Sequence, residues 1–171
     1  HGATACTDVT GFGLLGHLVE MIRASGWNVD LNIDDVPLLD GALECLKLGI
    51  FSSLAPSNML LKRSVANEAD ALKHAAYPLL FDPQTAGGLL ATVPADKADA
   101  AVKKLIAAGY PHTCVIGRVT GQAAGTVAAG AIQVVFKGEG GSAPAASSSD
   151  SASADTQTQA AGPRRSKRVA K

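Results

Sequence analysis

The hydrophobic positions of this chain fall into two periods. Leu14, Leu15, Leu18, Val19 and Ile22 recur at helical spacing, with His17, Glu20 and Arg23 mostly between them. That pattern predicts an amphipathic helix over roughly 12–25, with Gly26 as its stop. Trp27 to Ile33 then alternates with period two and reads as a strand with one covered face. Asp40 to Leu48 predicts a short helix stopped by Gly49. Residues 52–67 are punctuated by Ser, Pro and Asn and give no clear period, although Met59, Leu60 and Leu61 require cover. Leu89–Val93 is a further strand. Pro94 and Asp96 open the clearest helix, with Ala98, Ala101, Val102, Leu105 and Ile106 as its buried stripe. Asp96 and Asp99 sit toward its positive end, Lys103 and Lys104 toward its negative end, and Gly109 closes it. Strands follow at Thr113–Val119, Thr126–Ala128 and Ala131–Phe136. This order predicts an α+β or α/β sandwich built on a mixed sheet. It is no sustained βαβαβ series, which disfavours a dinucleotide fold.

Composition changes the picture at one place. Residues 138–171 contain one large aliphatic residue, Val169, and no aromatic residue. Side chains of that kind bury too little apolar surface to offset the entropy of ordering. The segment is therefore expected to be a disordered low-complexity tail, dispensable for folding, behind a domain at 1–137. Its charges segregate, with Arg164, Arg165, Lys167, Arg168 and Lys171 at the very end. With no aromatic residues interleaved to stack on bases, and a formal net charge of zero overall, nucleic acid is disfavoured as a partner. The 171 residues are 47% apolar, enough for a substantial core. No apolar run reaches the length of about 18 residues expected of a membrane span. Cys6, Cys45 and Cys114 cannot close a set of internal disulfides, which favours a reducing, cytoplasmic setting. The chain opens at His1 directly into a dense Gly/Thr/Asp segment, as a fragment of a larger protein would.

Two segments concentrate candidate chemistry. In Ala5–His17, ACTDVTGFGLLGH, the turn formers Thr7, Asp8, Thr10 and Gly11 stand just before an apolar helix. One reading makes Asp8 or Thr10 the helix cap. The other uses the same geometry for a ligand: small glycines and free amides let a phosphate approach, and a carboxylate beside it can hold Mg²⁺. One aspartate cannot build an octahedral site, so any further carboxylates must come from elsewhere. His17 reads as a partly exposed or hydrogen-bonded helix residue, and Cys6, Cys45 and Cys114 as packed cysteines. In Leu79–Leu90, LLFDPQTAGGLL, Asp82-Pro83 signals a turn, and Gly87-Gly88 permits close approach of a ligand or another chain. Asn28, Asp30, Asp34 and Asp35 read as a solvated face.

Together these segments carry a resemblance. Ala5–Leu18 resembles the start of the C-terminal domain of the selenophosphate synthetase (selenide, water dikinase) family, and Asp82–Leu90, DPQTAGGLL, is similar to the second signature of that domain. Ala86 stands where the usual form has Ser. Weaker similarity runs through Leu54–Asn58 and Ile116–Val119. The resemblance implies a PurM-like, AIR synthase-related C-terminal domain, an α+β fold layered as an α/β/α sandwich on a mixed sheet, from a two-domain ATP-dependent enzyme that makes selenophosphate, AMP and phosphate from selenide, ATP and water. It implies a homodimeric full enzyme whose reactive Cys or selenocysteine, essential lysine and most metal-binding aspartates lie in an N-terminal domain outside this sequence. It maps the domain's one Mg²⁺ ligand onto Asp8 and leaves no catalytic residue in this segment. Thr7, Thr10, Gly11 and Gly13 are then the candidate phosphate-proximal loop, with the cap role passing to Thr10. Two rival readings remain: a related phosphotransferase acting on another small molecule, and a noncatalytic assembly protein that binds through its basic tail.

Overall fold

The structure, a computed structural model, describes residues 1–122 and 130–136, together with the backbone of 156–161. The first helical stripe becomes α1, Gly13–Ser25, which buries Leu14, Leu15, Leu18, Val19 and Ile22. Gly26 ends it in the left-handed region at φ 73°, its N–H donating to the Ile22 carbonyl at 2.8 Å. That is a backbone conformation which residues with a Cβ rarely adopt and glycine takes freely.

The strands are β1 (Ala5–Asp8), β2 (Trp27–Asn32), β3 (Leu89–Pro94), β4 (Cys114–Gln122), β5 (Ile132–Val135) and β6 (Thr156–Ala161). The remaining helices are α2 (Ala42–Lys47), α3 (Ala55–Asn58), α4 (Glu68–Ala71) and α5 (Ala95–Ala107). Short 3₁₀ turns at Ile33–Asp35, Met59–Ser64 and Tyr77–Phe81 fill the connections. The strands form one sheet in the order β1-β3-β6-β4-β2-β5. All neighbours are antiparallel except β2 and β5, which makes the sheet mixed as expected. α1 packs against β1 and β2, and α5 against β3, β4 and β6. The main core joins α1 to Val29, Leu31, Leu90, Ile116, Ile132 and Val134 of the sheet and to Tyr77, Leu80 and Phe81. Val93, Ala98 and Ala101 are buried outside that cluster, which gives α5 its own, smaller contact layer.

The largest departure from expectation lies in the tail. Thr156–Ala161 is not disordered; it forms β6, paired along its length with β3 on one side and β4 on the other. The composition argument counted only side-chain burial. A strand between two others is also held by its backbone, whose N–H and C=O groups satisfy both neighbouring edges at once. The rest of 138–171, its basic end included, lies outside the described residues, as does the expected strand at Thr126–Ala128.

Smaller corrections have local causes. The α5 stripe is narrower than its periodicity implied, with Ala98 and Ala101 buried but Ile106 44% exposed. α2 forms where expected yet buries none of its residues. Cys6 and Cys45 are exposed rather than packed, whereas Cys114 is half-buried and packs against the core. The supposed solvated acidic face is partly tied down: His74 Nε2 lies 3.1 Å from Asp34 Oδ1, and Asn32 donates to Asp35. Among the described residues no helix is long and apolar enough to cross a membrane.

Candidate functional site: two motif loops held backbone to backbone

Asp8 closes β1, exposed, in register with Leu89 at the start of β3. The fold thus brings the end of the first motif against the end of the second. From Asp8 the chain must turn into α1, and Val9, Thr10 and Gly11 each have a backbone group tied down there. Val9 donates its N–H to the Gly88 carbonyl at 2.9 Å, and Gln84 donates its N–H to the Thr10 carbonyl at 3.0 Å. The Asn58 side-chain amide donates to the Gly11 carbonyl at 2.9 Å and to the Phe81 carbonyl at 3.0 Å.

Two glycines make this approach possible. Gly13 sits at φ 69°, and a Cβ there would stand 2.7 Å from the Phe81 carbonyl carbon. A Cβ on Gly87 would stand 2.2 Å from the Val9 carbonyl oxygen. Gly11 is different, with nothing within 4 Å of the place its Cβ would take. The contrast yields a prediction. Gly87→Ala should destabilise the chain by about 1–3 kcal/mol, the range for an overpacked site, and lower the melting temperature by several degrees. Gly11→Ala should leave the melt within about 0.5 kcal/mol of wild type, as a substitution without steric conflict does. Paired thermal melts check it; equal losses in the two variants would show that the loops do not press together as described.

The capping expectations for the first motif do not hold. The N-cap of α1 is Phe12, with no side-chain cap bond. Thr10 is engaged otherwise: its N–H donates to His17 Nε2 at 3.0 Å, and its Oγ1 lies 3.2 Å from the same nitrogen. A ring nitrogen that accepts a backbone N–H is the unprotonated one, so the proton resides on Nδ1. Nδ1 lies 3.2 Å from Glu20 Oε2, outside hydrogen-bond alignment. His17 is thus hydrogen-bonded but, at 4% exposure, fully buried rather than partly exposed. It braces the loop from inside the helix. Thr7 is half-buried and donates its hydroxyl to the Asp8 carbonyl at 3.1 Å.

Sequence reasoning assigned no role to Asn58. The available signal was an amide set immediately before the apolar run Met59–Leu61, where a polar residue must find partners indoors. Ala86 is exposed, so the absence of a hydroxyl there leaves no buried polar group unpaired. It borders a cleft of about 180 Å³, together with Val9, Leu38, Asp82, Gln84 and Gly87.

The shifted titrations belong to residues outside both motifs. Burial pushes the Asp30 carboxyl up, and the Arg118 guanidinium opposite it in the sheet pulls it partly back. Burial pushes the Tyr77 phenol up to about 12, with Glu68 adding to the effect. Burial and then the Asp35 charge raise the Cys114 thiol.

A layered α+β domain whose two glycine-bearing loops lock beside an exposed aspartate defines a class. Residues 1–130 match the family described as AIR synthase related protein, C-terminal domain, and the chain belongs to that family. Within it, the curated relatives are specific. A selenide, water dikinase of Dechloromonas aromatica (strain RCB) is 37% identical over 118 residues, covering 69% of this chain and 34% of that protein. That of Pelobacter propionicus is 41% identical over 115 residues, covering 67% and 33%. That of Rhizobium meliloti (strain 1021) is 38% identical over 130 residues, covering 76% and 35%. The chain spans about a third of the length of the curated relatives it matches.

Proposed function

We propose that this chain serves as the C-terminal part of an ATP-dependent enzyme that makes selenophosphate from selenide, ATP and water, releasing AMP and phosphate, for selenocysteine or selenouridine synthesis. The observation that carries the reading is the junction of its two signature segments. The segments are far apart in the chain, yet they meet through direct backbone bonds beside an exposed carboxylate. The printed names of the curated relatives support the same reading.

On this reading Asp8 contributes one oxygen ligand to the Mg²⁺ that accompanies ATP. Among the described residues no three His, Cys, Asp or Glu side chains gather as a metal site. Asp8, exposed at the end of β1, fits a single contributed ligand, to be completed by carboxylates from the remainder of the enzyme. When bound, Mg²⁺ supplies neutralisation of phosphate charge. The chain's own work is placement. Gly11 leaves backbone open to a phosphate, and Thr7 steadies the Asp8 carbonyl. Thr10 and Gly13 give the loop its shape through His17 and Phe81. Its partner is the upstream, N-terminal domain of such an enzyme, in a homodimer working in the cytoplasm.

The isolated chain should fold and show no selenide-dependent ATP turnover, because phosphoryl transfer needs positioned metals and an oriented nucleophile. Joined in place of the matching third of the Dechloromonas aromatica protein, it should support AMP formation that requires both selenide and Mg²⁺. Robust AMP formation by the isolated chain would remove the need for another domain. A folded chimera without turnover would defeat the dikinase reading.

A further inference from the structure

We propose that Asn58 is a positioning residue of the site: its side-chain amide sets the spacing between the loop that follows Asp8 and the loop that begins at Asp82. This deepens the reading above and rests on it for its functional meaning.

The geometry is specific. Asn58 is 6% exposed, and its Nδ2 donates to two carbonyls on different motifs, Gly11 at 2.9 Å and Phe81 at 3.0 Å. A carboxamide nitrogen offers two N–H donors from one atom, and here both are used. The two acceptors lie 47 and 23 residues away in the chain, so no local turn supplies this link. Asn58 is itself stationed from behind. It ends α3, its own N–H bonds the Leu54 carbonyl at 3.1 Å, and Met59 and Leu61 beyond it pack against the core. The two backbone bonds between the loops, Val9 to Gly88 and Gln84 to Thr10, tie them at the strand side. Asn58 ties them on the side of Gly11 and Phe81.

The chemistry excludes the nearest replacements. Aspartate has the same shape but, when ionised, would turn acceptor oxygens toward two carbonyl oxygens. Leucine fills similar space and leaves both carbonyls unpaired, the costly way to lose a buried hydrogen bond. Misplacement by about 1 Å can slow an oriented reaction about 100-fold, so a side chain that sets loop spacing can govern turnover without touching a reactant.

The test uses the ¹⁵N-labelled 171-residue chain. In wild type the two Asn58 side-chain protons should exchange with solvent at least about ten times more slowly than those of an exposed asparagine or glutamine. Exchange at the free rate would overturn the proposal without any variant having to fold. In N58D and N58L, the Gln84 and Gly13 amides should exchange at least ten-fold faster relative to wild type than the Leu31 and Ala101 amides do. Acceleration spread evenly over all four would show that Asn58 serves general stability alone and would overturn the positioning role. These readouts need no ATP, metal or selenide. A folded chimera without turnover, with the loop exchange result intact, would thus defeat the dikinase reading and leave the clamp standing.

Discussion

A chain ended at Phe136 should melt at least about 10 °C lower than the full 171 residues, or lose its cooperative transition altogether. The truncation removes β6 from between β3 and β4 and exposes two strand edges that face one another across the sheet. Each of the six β6 residues is paired with β3, and the facing edges of β3 and β4 would have to turn to water or to each other. A loss of about 3 kcal/mol corresponds to about 10 °C for a chain of this size, and a domain has only about 5–15 kcal/mol to lose. Thr158→Pro is the sharper variant. Thr158 pairs with Thr92 on one side and Gly117 on the other, and proline there removes a donor from a central strand. Ending the chain after Ala161 keeps β6 and should melt close to full length. Thermal melts of the four proteins, with size-exclusion chromatography to detect pairing of the bare edges between molecules, check the set. An unchanged melt in both the Phe136 truncation and T158P would show that β6 adds nothing to the fold.

The second large effect is expected at Asp8. In the chimeric enzyme, Asp8→Asn should reduce turnover by about 100-fold or more while moving the melt by less than about 0.5 kcal/mol. Asparagine keeps the shape but gives up the charge that helps hold a hard cation against phosphate. Charge stabilisation worth several kcal/mol translates into two or three powers of ten at about 1.4 kcal/mol each. The structure makes the stability half of this expectation firm: Asp8 is exposed, and the N-cap of α1 is Phe12. Turnover against Mg²⁺ concentration, with a melt beside each protein, separates the outcomes. Normal turnover with an unchanged Mg²⁺ requirement in D8N would remove Asp8 from the metal site.

Much of the architecture was written in periodicity. α1, β2, β3 and α5 lie within a residue or two of their expected bounds, because each carries a repeated apolar pattern that only one local geometry can bury on one side. Gly26 and Gly109 mark helix ends for an equally local reason, since both take φ values that other residues resist. The family was legible in two short motifs, whose residues lie close in sequence and so keep their order wherever the fold sends them. Asp8 as a residue beside the turn into α1 belongs to the same legible class.

What only the tertiary structure decided are relations between distant residues. That Val9 meets Gly88, that Gly87 must lack a Cβ because of the Val9 carbonyl, and that Asn58 bonds both Gly11 and Phe81 are facts of packing with no period to announce them. Thr10 illustrates the difference: local rules make it a helix cap, yet the nitrogen of a buried histidine seven residues on accepts its N–H and lies 3.2 Å from its hydroxyl. β6 is the clearest case. Its sequence, TQTQAA, has almost nothing to bury, and a strand's place in the middle of a sheet is set by the backbone hydrogen bonds of its neighbours, which composition does not record. Sequence determines which face of a helix or strand must be covered; which distant backbone stands opposite is settled only when the chain closes on itself.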